Sequence, residues 1–553
     1  CGARLEPLNP LLPMSRPPDS ALPRWPLGLL VCWVLLVLLG AVRPLALPDE
    51  GRYAEISRWM LVSGDWLVPR LNGLPFFHKP PLLHWLQASA MGVLGAYPWV
   101  ARLVPAAAAG LMLAGLFVAT RRLVGEPLAR RAALMLALSP GFLLGGQYIN
   151  HDMLVASWIA SAIWCFAMAF LLAADDGRPH AGWARAGFAC CALGMLSKGL
   201  IGVALPGLVL FVWLSLARRW RQVPRLPWLS GLALFAAIAV PWFVLAAQRY
   251  PDLWRYMFGA HQFGRYTGGG FNNQHPWWFY IVGLLALLFP WPIFMLFRRP
   301  AQADEAHDAS KKIAKDTFLL AWVWLLAILL FFSIPRSKLI GYVLPVLPPL
   351  ALLAAAGWQR AMAGRRHEGR WFAALAALPL LVALVITFGF GPNQRHRLTG
   401  DLARELACRA APGEPIYLEG SGSFPYDLPF IAGLTAPLVV AQHWPTTRDG
   451  IGDSWEREML EAGDFEPARA AQLMRAPDAL VEAAAQPRRW LVAQSRVKDQ
   501  AGALIDFTPP PGWRRVVDGD RWDLWQSAPE GPEAAQHERL PGCHDQRGDQ
   551  RRP

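Results

Sequence analysis

One polar stretch, residues 47–85, stands out in a chain that is 54% hydrophobic and only 17% charged. It opens with two adjacent carboxylates, Asp49 and Glu50, and ends with His78 and Lys79. A carboxylate can orient or deprotonate a nucleophile, and a lysine ammonium can neutralise phosphate charge. The stretch therefore predicts a site for transfer chemistry on an anionic group. A structured loop whose charges pair with one another is the alternative interpretation.

Further polar groups stand at the ends of later apolar runs. Asp152, Lys198 and Lys338 each adjoin such a run, and His261 and Arg265 lie in a polar loop. Each has a simpler explanation: Asp152 can cap a helix, Lys198 can extend its ammonium to the membrane interface, and a lone His is more often satisfied locally than a ligand. Their predicted convergence on one membrane face favours a site, because cations beside carboxylates suit an anionic lipid headgroup.

The elements that must position these groups are apolar runs of about 17 to 22 residues, long enough to cross a bilayer as helices. The pattern predicts a polytopic α-helical membrane protein with about 11 to 13 transmembrane helices. The first run is expected to remain as a helix and not to be cleaved as a signal. Crossings are predicted at 26–46, 98–118, 132–148, 153–173, 186–197, 200–217, 228–247, 276–297, 317–334, 340–358 and 371–391.

The distribution of basic residues predicts the orientation of the chain. Loops assigned to the cytoplasm, beginning with residues 1–25, hold 22 Lys and Arg residues, whereas the segments assigned outside hold 10. Cytoplasmic loops of membrane proteins carry this excess. The 47–97 loop and the C-terminal residues are therefore predicted to lie outside. The same bias explains the net charge of +13 without a nucleic-acid partner.

After Gly391 the composition changes to that of a soluble domain. An α/β domain is predicted over residues 392–528, and residues 529–553 are expected to be disordered. No catalytic signature is visible in this domain. Its predicted helices and strands are helical patterns at 401–410 and 455–485, period-2 fragments at 415–419 and 490–493, and a hairpin in VVDGDRWDLW.

The seven cysteines show no spacing typical of metal ligands. The four that fall in apolar segments are interpreted as small core residues. Cys408 and Cys543 could pair only if the tail lies in an oxidising compartment. No metal site and no obligatory cofactor are therefore predicted.

Several motifs resemble those of a known enzyme family. DEGRYAE, GDWLVPRLNG and FHKPPLLHW, followed by INHD, LSKG and IPRSKLIGYVLPVLPPLAL, are similar to motifs of C-type (GT-C) glycosyltransferases that use polyprenyl-phosphate sugars. The resemblance covers residues 26 to about 358. It is greatest to bacterial lipid A 4-amino-4-deoxy-L-arabinose transferases, which are related to protein mannosyltransferases. One departure is His78, which stands before Lys-Pro-Pro where the family pattern often has an acid.

The resemblance implies a GT-C-like fold and an inverting pentosyltransferase that moves aminoarabinose from undecaprenyl phosphate to lipid A phosphates. The reaction is expected on the periplasmic side of the inner membrane, within residues 26–391, and to confer resistance to polymyxin and cationic peptides. The expected partners are these two lipids and the surrounding membrane lipids. The implied roles are catalytic or orienting for Asp49, Glu50 and Asp152, phosphate binding for Lys79, Arg52, Arg265, Lys198 and Lys338, and substrate contact for Tyr53, His78, His261 and Tyr342.

Other function classes stay open at this point. A protein O-mannosyltransferase would need a true base, because a Ser or Thr hydroxyl must lose its proton. A lipid transporter or flippase would favour charges at helix midplanes and a two-fold internal repeat. The charges here lie at one interface and no repeat is visible, which favours an enzyme. A structural membrane scaffold with a periplasmic binding domain is a further alternative.

Overall fold

The computed structural model describes residues 24–174, 176–264, 273–297, 308–390, 398–445, 452, 454–498 and 504–528. Up to residue 390 these residues are almost entirely helical. The helices are α1 (Arg24–Ala41), α2 (Asp49–Ser63), α3 (Leu82–Leu94), α4 (Pro98–Leu123), α5 (Glu126–Ala137), α6 (Pro140–Gly145), α7 (His151–Leu171), α8 (Ala181–Lys198), α9 (Ile201–Leu216), α10 (Trp228–Arg249), α11 (Phe279–Leu287), α12 (Asp308–Ser333), α13 (Leu347–Met362) and α14 (Glu368–Val385). Shorter 3-10 and π turns are Trp220–Arg225, Arg255–Gly264, Trp291–Leu296, Ile340–Val346 and Ile386–Phe390.

The protein is a polytopic membrane protein, as its hydropathy predicts. Within the described residues, six helical segments are long and apolar enough to cross a membrane, and three shorter apolar helices accompany them. The total of 11 to 13 crossings stays a prediction. The six segments are Pro98–Leu123, His151–Leu171, Trp228–Arg249, Ser310–Ser333, Ile340–Met362 and Glu368–Gly389.

Two of the predicted crossings are interrupted in the structure. Residues 132–148 divide into α5 and α6, because the Ser139 hydroxyl accepts a hydrogen bond from the Phe142 N–H (3.3 Å) and starts a new helix. Residues 276–297 divide into α11 and a 3-10 turn beyond Pro290. Apolar composition continues through both breaks, so hydropathy does not reveal them.

Helix α7 lies at the centre of the membrane part, packed against α4, α8 and α9. Nearly all of its residues are buried, including the large side chains Trp164 and Phe170. Asp152 therefore lies at the start of a helix that is buried in this core.

The C-terminal residues form the predicted α/β region. A six-stranded mixed sheet has the order β5-β4-β3-β6-β10-β9, in which β3, β4, β5 and β6 are parallel and β10 is antiparallel to its neighbours. The strands are β3 (Ile416–Glu419), β4 (Val439–Ala441), β5 (Met474–Arg475), β6 (Trp490–Gln494), β9 (Trp513–Val517) and β10 (Trp522–Ser527), with β7 (Arg496–Lys498) and β8 (Leu504–Asp506) as a separate pair. The helices are α15 (Gly400–Arg409), α16 (Leu428–Ala432), α17 (Trp455–Gly463), α18 (Pro467–Leu473) and α19 (Ala479–Ala484).

The loop between α1 and α4 packs into this C-terminal region. Ile56 of α2 and Phe76 share a buried hydrophobic cluster with the sheet residues Leu418 and Val440. The loop also contains a short hairpin of β1 (Arg70–Leu71) and β2 (Leu74–Pro75). The polar stretch is thus enclosed between the membrane helices and the C-terminal sheet, where charged groups from both parts can meet.

Candidate active site

Glu50 is completely buried where α2 begins. Its oxygens accept hydrogen bonds from Arg43 (2.7 Å) and Arg102 (2.7 and 3.1 Å). The backbone N–H groups of Ala46 (2.6 Å) and Ile149 (3.1 Å) also donate to it. Burial alone would raise the pKa of Glu50, but the two arginines hold it below its ordinary value. The catalytic role expected from the sequence does not fit, because this enclosed carboxylate offers no surface to a substrate. Glu50 instead fixes the start of α2.

Asp49, the preceding residue, has a different environment. Its side chain is 36% exposed. One oxygen accepts a hydrogen bond from Arg52 (3.1 Å) and the other from the Tyr148 hydroxyl (3.3 Å). Successive residues of a helix point in different directions, since a turn contains 3.6 residues. Asp49 therefore faces an open space while Glu50 faces the core.

A second carboxylate, Asp152, lies at the start of α7. Asn150 caps this helix and also donates a hydrogen bond to Asp152 (3.0 Å). Asp152 forms an ion pair with Lys198, whose ammonium lies 4.4 Å from the centre of the Tyr342 ring. A Cβ atom at Gly341 would overlap the Asp152 carboxylate, so a larger residue there would displace this carboxylate. Three residues predicted from separate apolar runs are thus in contact.

Tyr53 lies near both carboxylates, Asp49 and Asp152. Its ring lies edge-on to His151, with 4.8 Å between centres, and 6.1 Å from the ring of His84. Burial raises the pKa of Tyr53, and the charges of Asp49 and Asp152 raise it further. Tyr53 is therefore a neutral hydroxyl between two anionic groups.

Lys79 belongs to the same group of residues. Its ammonium donates a hydrogen bond to the carbonyl of His78 (3.0 Å). Lys79 and Lys198 both lie near His151, the first residue of α7. The following Pro80-Pro81 pair restricts the backbone and holds Lys79 in place.

A second charged cluster lies at the boundary with the C-terminal region. Arg52 forms an ion pair with Glu458 of α17 and lies over the Tyr426 ring, 5.0 Å from its centre. The Tyr426 hydroxyl donates to Glu458 (2.9 Å). The Nδ1 atom of His78 lies 4.0 Å from an oxygen of Glu458, and its Nε2 atom lies 3.7 Å from an oxygen of Glu461. Both parts of the protein therefore contribute charges to the site.

Comparison with known proteins assigns the chain to a family. Residues 25–257 match the family described as Dolichyl-phosphate-mannose-protein mannosyltransferase. A relative from Aeromonas hydrophila named Undecaprenyl phosphate-alpha-4-amino-4-deoxy-L-arabinose arabinosyl transferase is 32% identical over 394 residues, covering 69% of this chain and 68% of the relative. The chain belongs to this arabinosyl transferase family. A relative of the same name with the suffix 2, from Pseudomonas fluorescens, is 33% identical over 66% of this chain, which spans 65% of that relative's length.

The arabinosyl transferase family assignment agrees with the fold. The crystal structure of ArnT from Cupriavidus metallidurans bound to undecaprenyl phosphate matches 93% of this chain and 98% of its own, with a TM-score of 0.71 at 24% identity. The apo form of the same protein also gives a TM-score of 0.71. The predicted GT-C-like membrane fold with a C-terminal α/β region is confirmed.

Not every cation predicted to bind phosphate lies in this group of residues. The Lys338 ammonium is buried and donates to the backbone carbonyls of Pro335 and His275, the latter at 3.0 Å. These bonds tie two loops together, so the predicted phosphate-binding role of Lys338 does not fit and we assign it a structural role. Arg265 lies outside the described residues, as does the side chain of His261. Their roles stay predictions.

Sequence reasoning missed the carboxylates of α17. Glu458 and Glu461 are three residues apart and therefore share one helix face. The one available signal was His78, which replaces an acid of the family pattern. In the structure the acids opposite position 78 come from α17 instead. Among the described residues, no group of three His, Cys, Asp or Glu side chains is suited to a metal ion.

Proposed function

We propose that this protein transfers 4-amino-4-deoxy-L-arabinose from undecaprenyl phosphate to phosphate groups of lipid A. The observation that carries the proposal is the half-open Asp49 carboxylate at the start of α2 together with the Asp152–Lys198 ion pair at the start of α7, near which Lys79 also lies. Carboxylates beside fixed ammonium groups suit a reaction between phosphate-bearing substrates. The names of the Aeromonas and Pseudomonas relatives support this choice of sugar and carrier.

The donor side of the reaction needs positive charge. A lipid A phosphate oxygen attacks the anomeric carbon, and a new C–O bond forms as the bond to undecaprenyl phosphate breaks. The electron pair of the broken bond leaves with undecaprenyl phosphate, and the configuration at the carbon inverts. Fixed cations stabilise the charge that develops on the leaving phosphate. Lys79 and Lys198 supply two of them, and Arg52 and Arg265 are the further candidates.

The acceptor side needs orientation more than a strong base. The second pKa of a phosphate monoester is about 6, so the acceptor oxygen is already ionised near neutral pH. Asp49 therefore orients the acceptor or the cationic sugar amine, and Asp152 holds Lys198 in place. The remaining proposed substrate contacts are Tyr53, His78, His261 and Tyr342.

We place this reaction on the periplasmic side of the inner membrane. The excess of Lys and Arg in the opposite loops supports this orientation. Cys408 is disulfide-bonded, and disulfides persist in oxidising compartments such as the periplasm. Cys543 lies outside the described residues. With this orientation residues 26–391 form the transferase domain and residues 392–528 a periplasmic domain. The cationic sugar would reduce the negative charge of lipid A and so weaken polymyxin binding.

The test uses the purified full chain in liposomes with undecaprenyl phosphate-aminoarabinose and lipid A. Mass spectrometry should show lipid A heavier by one aminoarabinose, whereas dephosphorylated lipid A, the matched acceptor, should stay unchanged. A second reaction offers undecaprenyl phosphate-mannose and a Ser/Thr-rich peptide. Mannosylated peptide without modified lipid A would contradict the proposal in favour of a protein mannosyltransferase. Movement of the donor lipid across the bilayer with no product would contradict it in favour of a flippase.

A further inference from the structure

A cleft of about 400 Å³ borders the end of α2 that lies away from Asp49. Three arginines reach it from separate segments: Arg70 from the loop before α3, Arg249 from the end of α10, and Arg469 from α18. At a rise of 1.5 Å per residue, the length of α2 puts this arginine cleft about 15 to 20 Å from Asp49. It is therefore distinct from the reaction centre.

The arginine cleft carries more positive than negative charge. Arg70 donates two hydrogen bonds to Glu466, at 2.8 and 2.9 Å. Asp65 accepts from Arg249 (3.2 Å) and from Arg70 (3.4 Å). The buried Nε of Arg469 has no hydrogen-bond partner within the described part of the chain. Two carboxylates thus face three guanidinium groups, which leaves the cleft able to take an anion.

A buried donor also lines the cleft. Trp59 is 6% exposed, and its indole Nε1 has no acceptor among the described residues. An indole N–H can only donate, so it suits an oxygen-rich anionic ligand. Beside it Gly64 has φ +68°, and a Cβ atom at this glycine would meet nothing within 4 Å. The cleft is therefore open at this wall, and Trp59, whose indole nitrogen is a donor without a partner in the described residues, forms part of its lining.

The position of the cleft relative to the membrane surface indicates which anionic ligand it binds. Arg249 ends the 22-residue apolar span Trp228–Arg249, so its guanidinium lies where lipid headgroups begin. Trp66, near Asp65 in the chain, is 40% exposed, as expected of an aromatic residue at a membrane interface. Guanidinium groups bind phosphate through paired hydrogen bonds. We propose that the arginine cleft binds the phosphate group of a membrane lipid. This site goes beyond the transfer reaction, because it requires no sugar chemistry.

The test measures lipid binding by native mass spectrometry of the full chain in detergent. The variant is Arg249→Gln combined with Arg469→Gln, which leaves the Arg70–Glu466 pair intact. Phosphatidylglycerol, which the transfer reaction does not use, should bind the variant about ten-fold more weakly than the unmodified protein, as expected for two lost charge-assisted contacts. Dephosphorylated lipid A should bind both proteins equally. Arg225→Gln, which removes one positive charge before the other end of α10, should bind as the unmodified protein does.

Equal binding of phosphatidylglycerol to both proteins would overturn the proposal. Competition by inorganic phosphate, with no binding of phosphatidylglycerol, would also overturn it, because the ligand would then be free phosphate. Where the double variant unfolds at a lower temperature, Arg249→Gln and Arg249→Lys are compared instead, since this side chain is 47% exposed. Only the lysine variant should keep lipid binding. The readout needs no turnover, so a failed transfer assay leaves it interpretable.

Discussion

Asp49 and Glu50 are consecutive residues of one helix, yet they lie in opposite environments. Glu50 is enclosed by Arg43 and Arg102 and is completely buried. Asp49 is 36% exposed and contacts Arg52 at its edge. One face of the first turn of α2 therefore anchors the helix to the membrane core. The other face presents a carboxylate to the space where we propose that the substrates meet.

This difference shows that, of two adjacent acids, one can stabilise the fold while the other stays open to a substrate. A buried carboxylate must keep its counter-charges, because losing one leaves an uncompensated charge in a medium of low polarity. A half-exposed carboxylate keeps water on one side and can exchange a protein partner for a substrate. Residue type and adjacency in the sequence do not distinguish the two cases.

The largest expected effect comes from replacing each acid separately by its amide. Asp49→Asn should lower the transfer rate by about 100-fold, since it removes an orienting charge at the reacting groups. Its unfolding temperature should change little. Glu50→Gln should instead destabilise the protein by about 3 to 5 kcal/mol, because Arg102 is left buried without its partner. Transfer assays and thermal unfolding of both purified variants measure the loss of activity and the loss of stability separately.

The comparison fails if both variants lose activity in proportion to stability, since Asp49 would then be a structural residue too. Near-normal transfer by a well-folded Asp49→Asn protein would also remove Asp49 from the reaction. Double replacement should combine the two defects, because they act on different properties.

The fold was largely predictable because a bilayer imposes a simple length rule. A crossing helix needs about 20 apolar residues, and such runs are visible without any tertiary information. The hairpin of β9 and β10 was also predictable from its Asp-Gly turn. The breaks at Ser139 and Pro290 were not predicted, because they depend on local capping and proline geometry inside runs that are apolar throughout.

The candidate site was only partly predictable. Asp152, Lys198 and Tyr342 each lie beside an apolar run, so membrane depth alone brings them toward one plane, and the structure places them in contact. The Arg52–Glu458 pair joins residues 406 positions apart. It depends on how the C-terminal sheet packs on α2, which no local pattern encodes.

A smaller change, at Lys79, tests whether the open face binds phosphate. Lys79→Ala should reduce transfer by about 10- to 30-fold, as expected for losing one charge-assisted contact worth about 1.5 to 2 kcal/mol. Lys79→Arg should restore only part of the rate, since it keeps the charge but differs in reach and hydrogen-bond geometry. Turnover is measured with the lipid donor and acceptor, and folding is measured by thermal unfolding.

The Lys79 variants also separate phosphate binding from ion pairing. If Lys79 serves only as a structural partner, the alanine variant should unfold at a lower temperature and its activity should fall by the same proportion. In that case Lys79 would have a structural role, as Glu50 does. The difference between Asp49 and Glu50 would then not apply to the other charged residues of the 47–97 loop.

The smallest expected effect is a pH dependence that belongs to the buried face. The pKa of Glu50 is below its ordinary value in the folded protein, while the unfolded chain returns to about 4.3. The unfolded state therefore binds more protons in this range, and stability rises with pH. The stability supplied by Glu50 should be complete above about pH 5 and should be lost as pH falls through the folded pKa.

Thermal unfolding of the wild type and of Glu50→Gln between pH 7 and pH 3 measures this pH dependence. The gap in unfolding temperature between them should stay constant down to about pH 5 and then narrow as pH falls through the folded pKa, because protonation removes the charge that the glutamine variant already lacks. All other titrating groups cancel in this difference. A gap that widens on acidification would mean that burial outweighs the arginines, and Glu50 would then be a neutral acid within the core.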